Sequence, residues 1–117
     1  MENNSSALLL RIYLSSTDKY KEGLLYEHIV FKAKEQGIAG ATVLKGILGY
    51  GASSVIHSYK FWEVSEKLPV VIEIIDLETK VMDFFELIKP VLESVRYGCL
   101  VATEKTDLIL YKHGVKG

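Results

Sequence analysis

The 117 residues suffice for one hydrophobic core, and 49% hydrophobic with 25% charged side chains is an ordinary globular mix, which excludes a disordered or fibrous chain. The 14 basic and 15 acidic residues leave a formal charge of −1, a balance that attracts no polyanion and excludes nucleic acid as an expected partner. The single cysteine, Cys99, excludes an internal disulfide and a CxxC metal or redox site. The polar, acidic start Met1–Ser6 and the short apolar runs give neither a signal peptide nor a bilayer span, so the cytoplasm is the expected setting, without direct membrane insertion.

One domain is expected over 1–117, with 1–6 as a loose arm and 112–117 as a tail. In Ala7–Leu14, Leu8, Leu10, Ile12 and Leu14 alternate with Leu9, Arg11 and Tyr13, and this period of two predicts a strand. Ser15-Ser16-Thr17-Asp18 ends it, because short polar side chains bond their own backbone. Over Leu24–Gln36, Leu25, Ile29 and Ala33 recur every four residues, with Leu24, Val30 and Phe31 beside them and Lys32, Lys34 and Glu35 outward. This predicts an amphipathic helix, closed by Gly37.

Thr42–Leu48 is β-rich but carries Gly46, which signals a bulge or a close backbone approach. Pro69–Asp76 is the clearest strand, with proline at the position where a strand tolerates it. Thr79 is the predicted N-cap of a second helix whose stripe is Val81, Phe84, Phe85, Ile88, Val91, Leu92 and Val95. Pro90 is expected to kink or divide that helix. Cys99–Thr103 and Leu108–Tyr111 read as a strand pair around Glu104–Asp107.

The order β-α-β-β-α-β, with a short extra C-terminal strand, predicts an α+β, ferredoxin-like sandwich: an antiparallel sheet with two helices on one face. The other face, with Leu9 and Tyr13, then needs a cover, and sister subunits are the economical one.

Lys45–His57 is the most unusual stretch. Gly46, Gly49 and Gly51 let the backbone approach a ligand, Ser53 and Ser54 add hydroxyl donors, and successive N–H groups can form an anion-binding nest. It is not a Walker A loop or a GxGxxG turn, and a glycine-rich strand connection is the plainer reading. His57 follows it. His28 and His113 complete the histidines, and no HxxxH or HxH spacing supports a metal site within one segment. Arg11 and Arg96 are the only arginines. Arg11 lies opposite the Leu8/Leu10/Ile12 stripe, where it either reaches an intersubunit cleft or forms an ion pair. Asp76 precedes the second helix, where a carboxylate favours the dipole, and Trp62 is expected to anchor the loop's return. No nucleophile or acid–base pair emerges, so no enzyme is expected.

The segments Leu25–Val30, Gly40–Ile47, Gly49–His57 and Leu68–Asp76 together resemble a bacterial family of domains of unknown function, numbered 190, from about Leu8 to Val101. That family resembles the nitrogen regulatory PII proteins and the CutA proteins, ferredoxin-like trimers. The resemblance implies a homotrimeric signalling protein that binds a small anionic ligand, with adenine nucleotide as the cofactor to consider. The clefts would lie between subunits, with Lys45–Gly51 at the base of a loop from Gly49 to about Leu68. That loop would report the bound state to a transporter, channel or enzyme. A CutA-like metal-binding trimer using His57 is the alternative. The PII phosphate segment Thr-Gly-Lys…Gly-Asp-Gly-Lys has no counterpart: Arg96-Tyr97-Gly98-Cys99-Leu100-Val101 stands there. Phosphates would have to use Arg96, Lys45 or loop amides.

Overall fold

The computed structural model describes residues 2–52, 57–58 and 67–115. Its elements are β1 (Ser5–Ser15), β2 (Lys19–Tyr20), β3 (Gly23–Leu24), α1 (Leu25–Glu35), β4 (Gly40–Lys45), β5 (Leu48–Gly49), β6 (His57–Ser58), β7 (Pro69–Asp76), α2 (Glu78–Glu93) and β8 (Leu100–Leu108). Four strands form one sheet in the order β4-β7-β1-β8, every pair antiparallel. Register follows from burial: Leu10 faces Ile74, Ile12 faces Ile72 and Leu14 faces Val70, all turned to the helices and buried. A slip of one residue would turn this whole set to the other face. Leu25, Ile29 and Ala33 of α1 and Val81, Phe84, Ile88 and Leu92 of α2 close the core over them. This is the ferredoxin-like α+β arrangement, with both helices on one face.

Several local expectations change. The arm is shorter than its composition suggests, because Ser5 and Ser6 pair with Leu108 and Asp107. That longer β1 supplies a ladder for Glu104–Asp107, so the expected strand pair is one continuous β8. Leu108 ends β8, and Ile109–Val115 form no extra strand; the Tyr111 N–H instead donates to Asn3 Oδ1 at 2.7 Å.

Thr79 lies inside α2, whose N-cap position is Leu77 without a side-chain cap. Asp76 takes over: its Oδ1 accepts from Leu77 N–H at 2.6 Å and its Oδ2 from Ala39 N–H at 2.9 Å. Pro90 does not divide α2. It and Glu86, whose carbonyl loses a partner, are both exposed, so water can serve that oxygen, and the buried stripe holds both halves to the sheet. Gly37 ends α1 at φ +75°, as expected.

The sheet face away from the helices presents Leu44, Val71, Tyr13 and Leu100 in one row and Gly40, Ile75, Leu9 and Glu104 in another. Between them runs Thr42, Glu73, Arg11 and Ala102. Leu44 and Leu100 are about half exposed.

Candidate ligand-binding site

The ends of β1 and β4 and the starts of β7 and β8 lie together, because Ser15 pairs with Pro69, Lys45 with Val70 and Leu100 with Tyr13. At this end the glycine segment is tied down at its root. The Gly46 N–H donates to the Pro69 carbonyl at 2.7 Å. A Cβ on Gly46 would stand 2.9 Å from Pro69 Cγ, so the close approach signalled by the sequence is a backbone packed on a proline ring. Gly49 lies over the same ring and Gly51 over Tyr13, at 3.5 and 4.0 Å from an added Cβ. The returning end is clasped as well: Ser16 N–H donates to the Leu68 carbonyl at 2.8 Å, and Leu68 N–H donates to Ser16 Oγ at 3.1 Å.

Lys45, exposed, ends β4 at one edge of the sheet, and Arg96, also exposed, lies in the connection between α2 and β8. The structure gathers Lys45, Gly46, Gly49 and Gly51 at the corner where β4 meets the start of β7, with Arg96 in the α2–β8 connection. His57 pairs through its backbone with Gly49. Ser53, Ser54 and Trp62 lie outside the described residues.

Arg11 is engaged on the open face. Its Nη1 lies 2.8 Å from Glu104 Oε1 and its Nε 3.2 Å from Glu73 Oε2. The hydrogen bond to Glu104, then that to Glu73, raises the guanidinium pKa, so Arg11 is a fixed cation here. Of its two expected roles, the ion pair is the one observed.

The sequence reading missed the residues beside Arg96. Tyr97 lies under two cations, with Arg96 Cζ 5.2 Å and Lys67 Nζ 5.3 Å from its ring centroid. Lys67 belongs to the returning end of the loop, 30 positions away in sequence, and local spacing carries no signal of that meeting. A cavity of about 310 Å³ opens here, between the β1–α1 connection and the end of α2. Nearby Cys99 is half-buried, and burial, helped by the negative charge of Asp18, pushes its thiol pKa up. A raised pKa keeps it a thiol rather than a reactive thiolate. Among the described residues, no group of three or more His, Cys, Asp or Glu is placed to hold a metal. None of their helices is long and apolar enough to cross a membrane.

The antiparallel sheet with both helices on one face is a fold shared with solved PII-like proteins. CPII of Thiomonas intermedia K12, a nitrogen regulatory PII-like protein solved with ADP, AMP and bicarbonate, has the same fold at a TM-score of 0.66. The match covers 91% of both chains at 17% identity. A putative PII-like signaling protein of Thermus thermophilus matches at 0.64, over 92% of this chain and 94% of its own, at 16% identity. The model of the DUF190 family, Uncharacterized ACR, matches residues 7–108, and the chain belongs to that family. A UPF0166 protein of Aquifex aeolicus (strain VF5) is 42% identical over 101 residues, 86% of this chain and 91% of the relative.

Proposed function

We propose that this chain is a PII-like regulator: a homotrimer that binds a small anionic ligand, adenine nucleotide first among them, in clefts between subunits. The loop from Gly49 to Leu68 would report the bound state to a partner protein, a transporter, channel or enzyme. The observation that carries this is the open sheet face, where Tyr13, Val71, Leu44 and Leu100 form an apolar row across all four strands that sister subunits would cover. In that assembly Lys45 of one copy and Arg96 of the next would face one cleft. Without the PII phosphate segment, Lys45 and Arg96 are the charges for the anion, because Arg11 is committed to two carboxylates and the Gly46 N–H to Pro69.

The ligands bound to CPII are the first to test. Thermal melts with ADP, AMP and ATP, with and without bicarbonate, should show stabilisation by at least one nucleotide. At 100 times its dissociation constant the gain is about 2.7 kcal/mol. Lys45→Ala and Arg96→Ala should each remove it. No shift with any nucleotide at millimolar concentration would refute the nucleotide reading.

A further inference from the structure

Arg11, Lys32 and Lys80 each stand within ion-pairing distance of a carboxylate. Among the described residues, Lys19, Lys67 and Arg96 do not, and all three are exposed. Their placement sets them apart. Lys67 Nζ comes to the Tyr97 ring from the loop's return and Arg96 Cζ from the α2–β8 connection, at 5.3 and 5.2 Å from its centroid. Lys19, Arg96 and Tyr97 all line the cavity of about 310 Å³. Two like charges drawn to one ring repel each other, and an anion beside them relieves that repulsion.

The walls behind these cations are apolar. Leu25, Val91 and Val95 supply hydrocarbon, and Tyr20 supplies a ring that packs against His28 at 4.3 Å. Leu25 belongs to the core at 1% exposure, so this wall is formed before any ligand arrives. Such preorganisation reduces the ordering cost of binding. Asp18 also lines the cavity but is already engaged: its Oδ2 accepts from Ser15 N–H at 2.9 Å in the turn that ends β1. It offers a ligand no contact, and its negative charge turns an anionic head away from it, toward the exposed cations.

A cationic rim over hydrocarbon walls fits an anion with an apolar body. Acetate or inorganic phosphate would leave the walls uncovered, and a neutral hydrocarbon would leave the charges unmet. The volume is at the small end for ligand pockets and suits a single ring or a short branched chain. We propose that the cavity binds a small organic acid, one carboxylate on an aromatic or branched hydrocarbon body. The carboxylate meets Arg96, Lys67 and Lys19 at the rim, and the body lies against Leu25, Val91 and Val95. This goes beyond the intersubunit reading, because every group belongs to one protomer.

Arg96 serves both readings, so the decisive variants lie elsewhere. The full chain is melted at constant ionic strength with benzoate, phenylacetate, 3-methylbutanoate and 4-methylpentanoate at about 10 mM, each against its primary amide, and with acetate. The expected result is a rise of about 3 °C or more with at least one of the four acids, and little with its amide or with acetate. Lys67→Glu reverses an exposed charge that the nucleotide reading does not use, and Val95→Trp fills the cavity; each should abolish the response. Lys45→Ala should retain it while losing any nucleotide response, so the two readings fail separately. If Val95→Trp does not fold, Lys67→Glu carries the test. The proposal is overturned if none of the four acids shifts the unmodified protein, or if acetate or the amide shifts it equally. It is also overturned if Lys67→Glu responds like the unmodified protein, or if Lys45→Ala loses the response.

Discussion

Asp76 ends β7 on the helix side of the sheet at 3% exposure, and both its oxygens accept backbone N–H groups. One belongs to Leu77, the other to Ala39 before β4, and Lys80 Nζ stands 3.5 Å away. Replacing it with alanine leaves two amides without acceptors, which should cost about 2–4 kcal/mol by urea unfolding. An exposed acid such as Glu78 should cost under about 0.5 kcal/mol when truncated. The sequence reading placed Asp76 correctly before α2, because that relation is local. Its bond to Ala39 spans 37 positions and depends on the pairing of β4 with β7, which residue spacing does not encode. His28 gives a second test. Burial first, then Lys32 and Lys21, lower its pKa below 6.5, against a smaller opposing effect from Glu35. The unfolded chain therefore takes up this proton first as pH falls, so the stability His28 contributes is full above 6.5 and is lost as pH drops through its lowered folded value. His28→Gln should flatten that part of a stability–pH curve measured by urea unfolding.

At the scale of elements, the two roots of the loop differ from the strands they join. Strands β1 and β7 were legible because one face is buried along most of their length, leaving a clean period of two. β8 was not: six of its nine residues, Leu100, Ala102–Lys105 and Asp107, are exposed, so no alternation marks it and only β1 defines its extent. Thr79 was misread as a cap because its side-chain type suits that position, whereas Asp76 already holds the first free amide. Gly46 was read as a bulge or a close approach; the structure shows the close approach, to Pro69, a partner the spacing could not name. Gly46→Ala drives a methyl onto that ring and should destabilise the chain by about 1–3 kcal/mol in denaturant unfolding. Gly49→Ala, with 3.5 Å of room, should cost less.

For the whole molecule, the open face is what the proposed assembly would cover. Its central Arg11–Glu73–Glu104 cluster is partly solvent-exposed in one protomer, where ion pairs contribute little. Covered by sister subunits, the same charges lose water and must stay paired. Leu100→Asp places a charge in the apolar row beside Tyr13. It should convert the proposed trimer to monomer by light scattering, with helix content retained in circular dichroism. A monomeric unmodified protein would contradict the assembly.

The proposed sharing of each cleft between the exposed Lys45 of one chain and Arg96 of the next has a genetic consequence. If each cleft takes Lys45 from one chain and Arg96 from its neighbour, chains lacking either residue should complement each other. Lys45→Ala and Arg96→Ala proteins, each silent alone, should regain nucleotide binding when unfolded and refolded together, since some clefts then combine both intact residues. A site confined to one chain gives no recovery, because every chain in the mixture still carries a lesion.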